Sequence, residues 1–190
     1  MFHFFAYLAR LTHIQRWGLM RSAKQENTAE HSLQTAMFAH GLALIRNRYF
    51  DGKIDPLRVM ALAMYHDATE VITGDLPTPI KYFSKEIKGA YQDLEVVARD
   101  KLLAMLPVEM QGNYRMLFSG GSPEEHQLVK AADTLSAYLK CVDEMKYGNR
   151  EFEKALVTVK TKLDEMNLPE VEYFLREFAP SFALTLDELN

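Results

Sequence analysis

The chain has 190 residues, enough for one domain with a substantial core. Hydrophobic residues at 48% and charged ones at 25% exclude a disordered chain, and a net charge of −4 without a basic block argues against a nucleic-acid backbone as the main partner. The single cysteine, Cys141, excludes an intrachain disulfide framework and fits a reducing compartment.

In chain order, Phe4, Phe5, Leu8 and Leu11 repeat at helical spacing and predict a first amphipathic helix. The apolar start lacks the basic region of a signal peptide, and Arg10, His13 and Arg16 follow too soon for one. No stretch approaches the roughly 20 apolar residues of a membrane span. The chain is therefore expected in the cytoplasm, with no membrane partner. Residues 14–25 are polar and irregular, and hold Arg16, Trp17 and Arg21. Asn27 or Thr28 then caps a second helix, with Glu30 placed as in a capping box. That helix carries Leu33, Ala36, Met37, His40, Leu44 and Ile45 before Asp51-Gly52 stops it.

Asp55-Pro56 opens a third helix, predicted to run through His66-Asp67 and to end before Thr73-Gly74. The prolines of Asp75-Leu76-Pro77-Thr78-Pro79 disfavour continuous helix, so this stretch becomes a loop at the rim of whatever the His-Asp pair holds. Helices follow from about Ser84 to Leu106, after Pro107, and from Glu124 to Lys146 beyond the break at Gly120-Gly121-Ser122-Pro123. Gly148-Asn149 and Asn167-Leu168-Pro169 set off two final helices. No repeat or run of strand character intervenes, and the expected fold is all-α, one domain over residues 1–190.

The chemistry concentrates at His66-Asp67. A histidine and an aspartate after the apolar run Ala61-Leu62-Ala63-Met64 are costly to bury unless positive charge lies between them, and a divalent cation meets that need. The competing reading is a solvated helix end. His31 and Asp133 are the further candidate ligands; Asp133 sits among Ala131, Ala132 and Leu135, with an ion pair to Lys130 as the plainer explanation. Two imidazoles and two carboxylates without a thiolate suit a catalytic Mn²⁺, Co²⁺, Fe²⁺, Ni²⁺ or Zn²⁺ better than a closed structural zinc. Glu70 falls on the same helical face as His66 and Asp67, placed to orient or deprotonate a water. Arg16 offers a planar fork for phosphate oxygens, and the first turn after Thr78-Pro79 offers backbone N–H groups, with Lys81 adding charge. Trp17, the only tryptophan, is either a core anchor or a pocket wall against a sugar. No glycine-rich nucleotide cradle or P-loop is present, which argues against triphosphate-driven chemistry.

His31, His66-Asp67 and Asp133 match the H…HD…D pattern of the HD-domain metal-dependent phosphohydrolases. Arg16-Trp17, Glu26-Asn27-Thr28-Ala29-Glu30-His31-Ser32, Ala63-Met64-Tyr65-His66-Asp67-Ala68-Thr69-Glu70, Thr73-Gly74-Asp75-Leu76-Pro77-Thr78-Pro79-Ile80-Lys81 and Lys130-Ala131-Ala132-Asp133 narrow the likeness. Through these the chain resembles the bacterial 5′-deoxynucleotidase family over nearly its whole length, as far as Pro180-Ser181-Phe182. The resemblance implies a single HD-type helical domain that hydrolyses 2′-deoxyribonucleoside 5′-monophosphates with one divalent cation, often cobalt in the assay, and that forms a homodimer. Carried over by position, His31, His66, Asp67 and Asp133 would bind the metal. His31, Arg16, Trp17, Asp75, Thr78, Pro79, Ile80 and Lys81 would contact substrate, and Glu70 and Arg16 would be catalytic. Asp75 is left with three roles: a sugar hydroxyl, support of Arg16, or the leaving oxygen's proton. The rival expectations are an HD-domain hydrolase of a cyclic nucleotide or deoxynucleoside triphosphate, and a nucleotide-binding protein that has lost turnover.

Overall fold

The computed structural model describes residues 1–81 and 83–190, and among these it is all-α with no strand. A single antiparallel bridge, Gln15 to Asn27, closes the polar segment before the second helix. The chain opens with α1 (Phe4–Leu8), which tightens into a 3₁₀ turn over Ala9–His13. Phe4 and Leu11 turn inward as their spacing predicts, whereas Phe5 stays exposed against Phe4 and Tyr114.

Helix α2 (Thr28–Tyr49) begins where Asn27 accepts a hydrogen bond from the Glu30 amide, so Asn27 rather than Thr28 is the cap. Its Ala36, Ala39, Leu42, Ala43 and Ile45 are buried, but Leu33, Met37 and Leu44 form an exposed apolar stripe on one face. Helix α3 (Pro56–Met64) starts at Asp55, whose carboxylate accepts from the amides of Leu57 and Arg58. It packs on α2, and both pack on α8 (Pro123–Lys146), introduced by a complete capping box between Ser122 and Glu125. Leu42, Leu128 and Leu135 are wholly buried at this junction, each burial contributing about 1.5–3 kcal/mol.

The third helix does not continue through the His-Asp pair as its apolar pattern predicts. It stops at Met64; residues 65–69 form tight turns, and a short α4 (Glu70–Thr73) follows. The His66 ring Nδ1 lies 2.7 Å from the Ala63 carbonyl, a local side-chain bond that competes with helix continuation. Gly74, at φ +73° and ψ 165°, takes a positive-φ extended conformation open essentially to glycine, and turns the chain from α4 into Asp75. The remaining helices are α5 (Thr78–Lys81), α6 (Lys85–Ala104), α7 (Val108–Ser119), α9 (Glu153–Glu165) and α10 (Pro169–Glu177). A second apolar cluster of Phe4, Leu102, Leu103 and Leu106 seats α6 beside α1. No helix among the described residues is long and apolar enough to cross a membrane.

Candidate metal centre

Three segments far apart in sequence converge on one point. α2 supplies His31 from its first turn, the turn after α3 supplies His66 and Asp67, and α8 supplies Asp133 from its middle. His31 Nε2 lies 3.1 Å from Asp133 Oδ1 and 3.6 Å from Asp67 Oδ2. His66 Nε2 lies 3.1 Å from Asp67 Oδ2 and 3.9 Å from Asp133 Oδ1. Ligand atoms of His31, His66 and Asp133 all fall within 4.8 Å of one another. Asp67 stands outside that mutually close trio and reaches in through its contacts to both rings.

Both imidazoles are held from behind. Nδ1 of His66 faces the Ala63 carbonyl at 2.7 Å, and Nδ1 of His31 faces the Ser136 hydroxyl at 3.2 Å. A backbone carbonyl can only accept, so Nδ1 of His66 carries a proton and leaves Nε2, the nitrogen turned to the centre, as the one that can bind a cation once it is deprotonated. That Nε2 is buried and has no hydrogen-bond partner; Asp67 is near enough for attraction but not aligned. A buried imidazole nitrogen left in this state among carboxylates is what a metal ligand looks like without its ion. Ligands about 2.1 Å from a cation stand roughly 3.0–3.4 Å apart; the two spacings of 3.1 Å fall in that range, and those of 3.6 and 3.9 Å need a small inward shift. The donor set therefore fits a divalent transition metal.

The electrostatics agree. At His66 burial opposes the charged ring, but Asp67 and Asp133 outweigh it and push the pKa up to about 9. Burial likewise opposes ionisation of Asp67 and Asp133, and the imidazoles, with Arg16 for Asp67, overcome it and hold both carboxylates below their usual range. Both carboxylates are thus ionised against a protonated His66 ring, and a divalent cation binding here would take the place of that proton. No ion pair joins Asp133 to Lys130 among the described residues. The side chain is 41% exposed, so the desolvation argued from its apolar neighbours is smaller than the sequence suggests. Asp133 sits at the mouth of the centre rather than in the core.

Around the metal candidates lie the other predicted residues. Arg16 reaches Asp67 Oδ2 through Nη1 at 3.3 Å. Trp17 adopts φ +59°, a left-handed backbone that costs a bulky residue about 1–3 kcal/mol and is characteristic of functional sites. Its ring meets the wholly buried Phe152 at 5.2 Å. Glu70 is buried, accepts a hydrogen bond from the Thr28 hydroxyl at 3.1 Å, and lines one cavity with His66 and Asp67. Burial, reinforced by Asp67 and Asp75, pushes its pKa up to about 8. Asp75 is raised by burial against the pull of Arg16, which marks the two as electrostatic neighbours. Thr78, Pro79, Ile80 and Lys81 form α5, where the Lys81 ammonium pairs with Glu95 at 3.2 Å and lies over the Tyr91 ring.

Three residues escape a reading by residue type. Ser136 backs His31, Thr28 holds Glu70, and Glu26 touches both Arg16 and Trp17. All three are buried polar residues of common type; Glu26 and Thr28 fall within a motif of the family likeness, but nothing in the local pattern gives any of the three its role.

A family model described as YfbR-like 5′-deoxynucleotidase matches residues 3–182. The chain belongs to that family. The 5′-deoxynucleotidase of Vibrio vulnificus is 53% identical over 190 residues, covering 99% of this chain and 98% of its own. That of Yersinia pseudotuberculosis serotype I is 52% identical over 192 residues, covering 100% and 98%. Among solved structures, an HD-domain phosphohydrolase from Listeria innocua superposes with a TM-score of 0.82 at 22% identity, covering 95% of this chain and 88% of that one. A cyanophage S-2L HD phosphohydrolase bound to dA and one catalytic Zn²⁺ gives a TM-score of 0.65 at 20% identity, covering 93% and 96%. The fold is that of the HD-domain phosphohydrolases.

Proposed function

We propose that this protein hydrolyses 2′-deoxyribonucleoside 5′-monophosphates to deoxynucleoside and orthophosphate, using a divalent cation held by His31, His66, Asp67 and Asp133. The observation that carries the reading is the pair of backed imidazoles whose Nε2 atoms meet two ionised carboxylates, in a chain about half identical to proteins named 5′-deoxynucleotidase.

A bound divalent cation supplies Lewis acidity at the phosphate and makes hydroxide available near neutral pH. The rest of the chemistry belongs to the chain's own side chains. Arg16, tethered to Asp67, turns its remaining guanidinium N–H groups to the phosphate oxygens and offsets the charge that builds on them. Glu70, one oxygen fixed by a hydroxyl, would take the proton of the attacking water in its ionised form and return it to the departing 5′-oxygen; its pKa near 8 keeps it largely protonated at neutral pH until a bound cation favours the carboxylate. Trp17 walls the sugar side, where a bulky rigid ring rejects a 2′-hydroxyl. Asp75 lends negative charge near Arg16 from the loop that α5 follows, and Thr78, Pro79, Ile80 and Lys81 bound the phosphate side.

We further infer one cation per chain, Co²⁺ supporting activity in the assay, and Mn²⁺ or Zn²⁺ as the alternatives such a nitrogen–oxygen set accepts. The exposed stripe of Leu33, Met37 and Leu44 supports a homodimer, and the lone buried cysteine is consistent with a cytoplasmic setting. A phosphate-release screen of deoxy- and ribonucleoside monophosphates against Co²⁺, Mn²⁺, Zn²⁺ and Mg²⁺ tests the reaction directly. The reading predicts orthophosphate from dAMP or another deoxynucleotide with a transition metal, loss of activity on chelation, and little from the ribonucleotides. Release of pyrophosphate or triphosphate from a deoxynucleoside triphosphate, with the monophosphates inert, would overturn it.

A further inference from the structure

The two side chains assigned to substrate, Arg16 and Trp17, lie in a segment without helix, and Trp17 holds a costly backbone conformation. Something must keep them in place. Glu26 is 7% exposed, and its Oε2 accepts a hydrogen bond from the Trp17 indole N–H at 2.8 Å. The same oxygen lies 3.4 Å from Arg16 Nε, a buried nitrogen that makes no hydrogen bond of its own. The Glu26 main-chain carbonyl accepts from the Arg16 amide at 2.9 Å, so backbone and side chain act on adjacent residues together.

We propose that Glu26 is a positioning residue that sets the substrate-facing orientation of Arg16 and Trp17, and through Trp17 the preference for deoxyribose. The inference rests on the reading in which those two side chains meet the substrate. Arg16 is stretched between two carboxylates, Glu26 at Nε and Asp67 at Nη1, which fixes the plane of its fork relative to the metal centre. Trp17 is held at its edge by Glu26 and packs against the buried Phe152 ring in a tilted contact, which together restrain its orientation. Rejecting one hydroxyl group requires a wall that does not yield. A Trp17 freed at its edge would still be large but would move aside for ribose.

The test uses the Co²⁺-loaded full chain and three readouts that general destabilisation does not move together. Trp17 is the only tryptophan, so its emission reports its own surroundings; kcat and KM are measured for dAMP and AMP; and Co²⁺ affinity is measured by titration calorimetry. Glu26→Leu removes both contacts at similar volume. It is expected to shift Trp17 emission to the red and raise the KM for dAMP. The dAMP-to-AMP ratio of kcat/KM should fall about tenfold, the worth of one charge-assisted hydrogen bond, with Co²⁺ affinity kept. Glu26→Gln keeps an acceptor for the indole but no charge for Arg16. It should restore the emission and the sugar preference while KM stays raised. Arg16→Ala and Trp17→Ala serve as references. If they impair dAMP turnover while both Glu26 variants leave KM, the dAMP-to-AMP ratio and the emission unchanged, the inference is overturned. An equal fall of kcat on both nucleotides, with the ratio and emission intact, also overturns it. If Arg16→Ala and Trp17→Ala are themselves without effect, the substrate reading fails first and the inference falls with it. Should Glu26→Leu not fold, an unchanged KM in Glu26→Gln is sufficient to refute the role toward Arg16.

Discussion

Glu144, near the end of α8, is wholly buried and accepts from four donors: the Ala23 amide at 2.7 Å, the Lys24 amide at 3.2 Å, the Asn149 side chain at 2.7 Å, and the Lys140 ammonium. Lys140 also donates to the Lys24 carbonyl, and Asn149 to that of Arg21. The segment that presents Arg16 and Trp17 is thus tied to the same helix that carries Asp133. Glu144→Leu keeps the volume and removes every acceptor. Two amides would lose their acceptor and the nearly buried Lys140 ammonium its counter-charge, with only the Lys24 carbonyl left to it, and breaking such a pair costs about 3–5 kcal/mol. At roughly 2–4 °C per kcal/mol for a chain of this size, the melting temperature at neutral pH should fall by about 6–20 °C. The carboxylate's pKa supplies a second limb. Burial opposes ionisation, but the bonds from Lys140, Ala23, Asn149 and Lys24 prevail and lower it from 4.5 to about 2. A depressed carboxylate stabilises the folded state above its unfolded value and loses that contribution as pH falls through the folded one. The gap between wild type and variant should therefore be full above pH 4.5 and close towards pH 2. Thermal unfolding followed by circular dichroism across that range measures both. A loss below about 2 °C at neutral pH, or a gap that stays constant through the acid window, would refute the reasoning.

Four further outcomes separate the roles at the centre. Asp133→Asn should weaken Co²⁺ binding, read by calorimetry, by more than about a hundredfold, because a neutral amide replaces an ionised ligand. Ser136→Ala removes the partner behind His31 and should weaken the same affinity by about 10–100-fold while leaving the fold's melting temperature nearly unchanged in chelator. Glu70→Gln should keep metal and nucleotide affinity and lower kcat by about 10²–10⁴-fold in a phosphate-release assay; loss of the metal instead would make Glu70 a ligand. Trp17→Ala should narrow the rate gap between dAMP and AMP, and an unchanged gap would remove Trp17 from sugar selection.

Helix boundaries were legible wherever a local signal sets them. Asn27, Asp55-Pro56 and the Ser122-Pro123 break act within three residues of themselves, and the helices start there. The donor types of the metal centre were equally legible, since two imidazoles and two carboxylates in apolar surroundings restrict the chemistry whatever the fold. Local pattern failed where a side chain bonds its own backbone or a distant partner. His66 binds the Ala63 carbonyl and ends α3 early, and the apolar stripe of α2 stays outside because Ala36, Ala39 and Leu42 face the core instead.

Taken alone, the amino-acid order determined an all-helical chain, the four ligand candidates and the family likeness, because capping, apolar spacing and donor chemistry are properties of short stretches. Only the packed tertiary structure decided that α2, α3 and α8 bring His31, His66 and Asp133 within reach of one ion, that Asp133 stands half-exposed at its mouth, and that Glu26 and Glu144 hold the Arg16–Trp17 segment. Those facts depend on contacts between residues up to more than a hundred positions apart, and no local rule of the backbone encodes a distance of that kind.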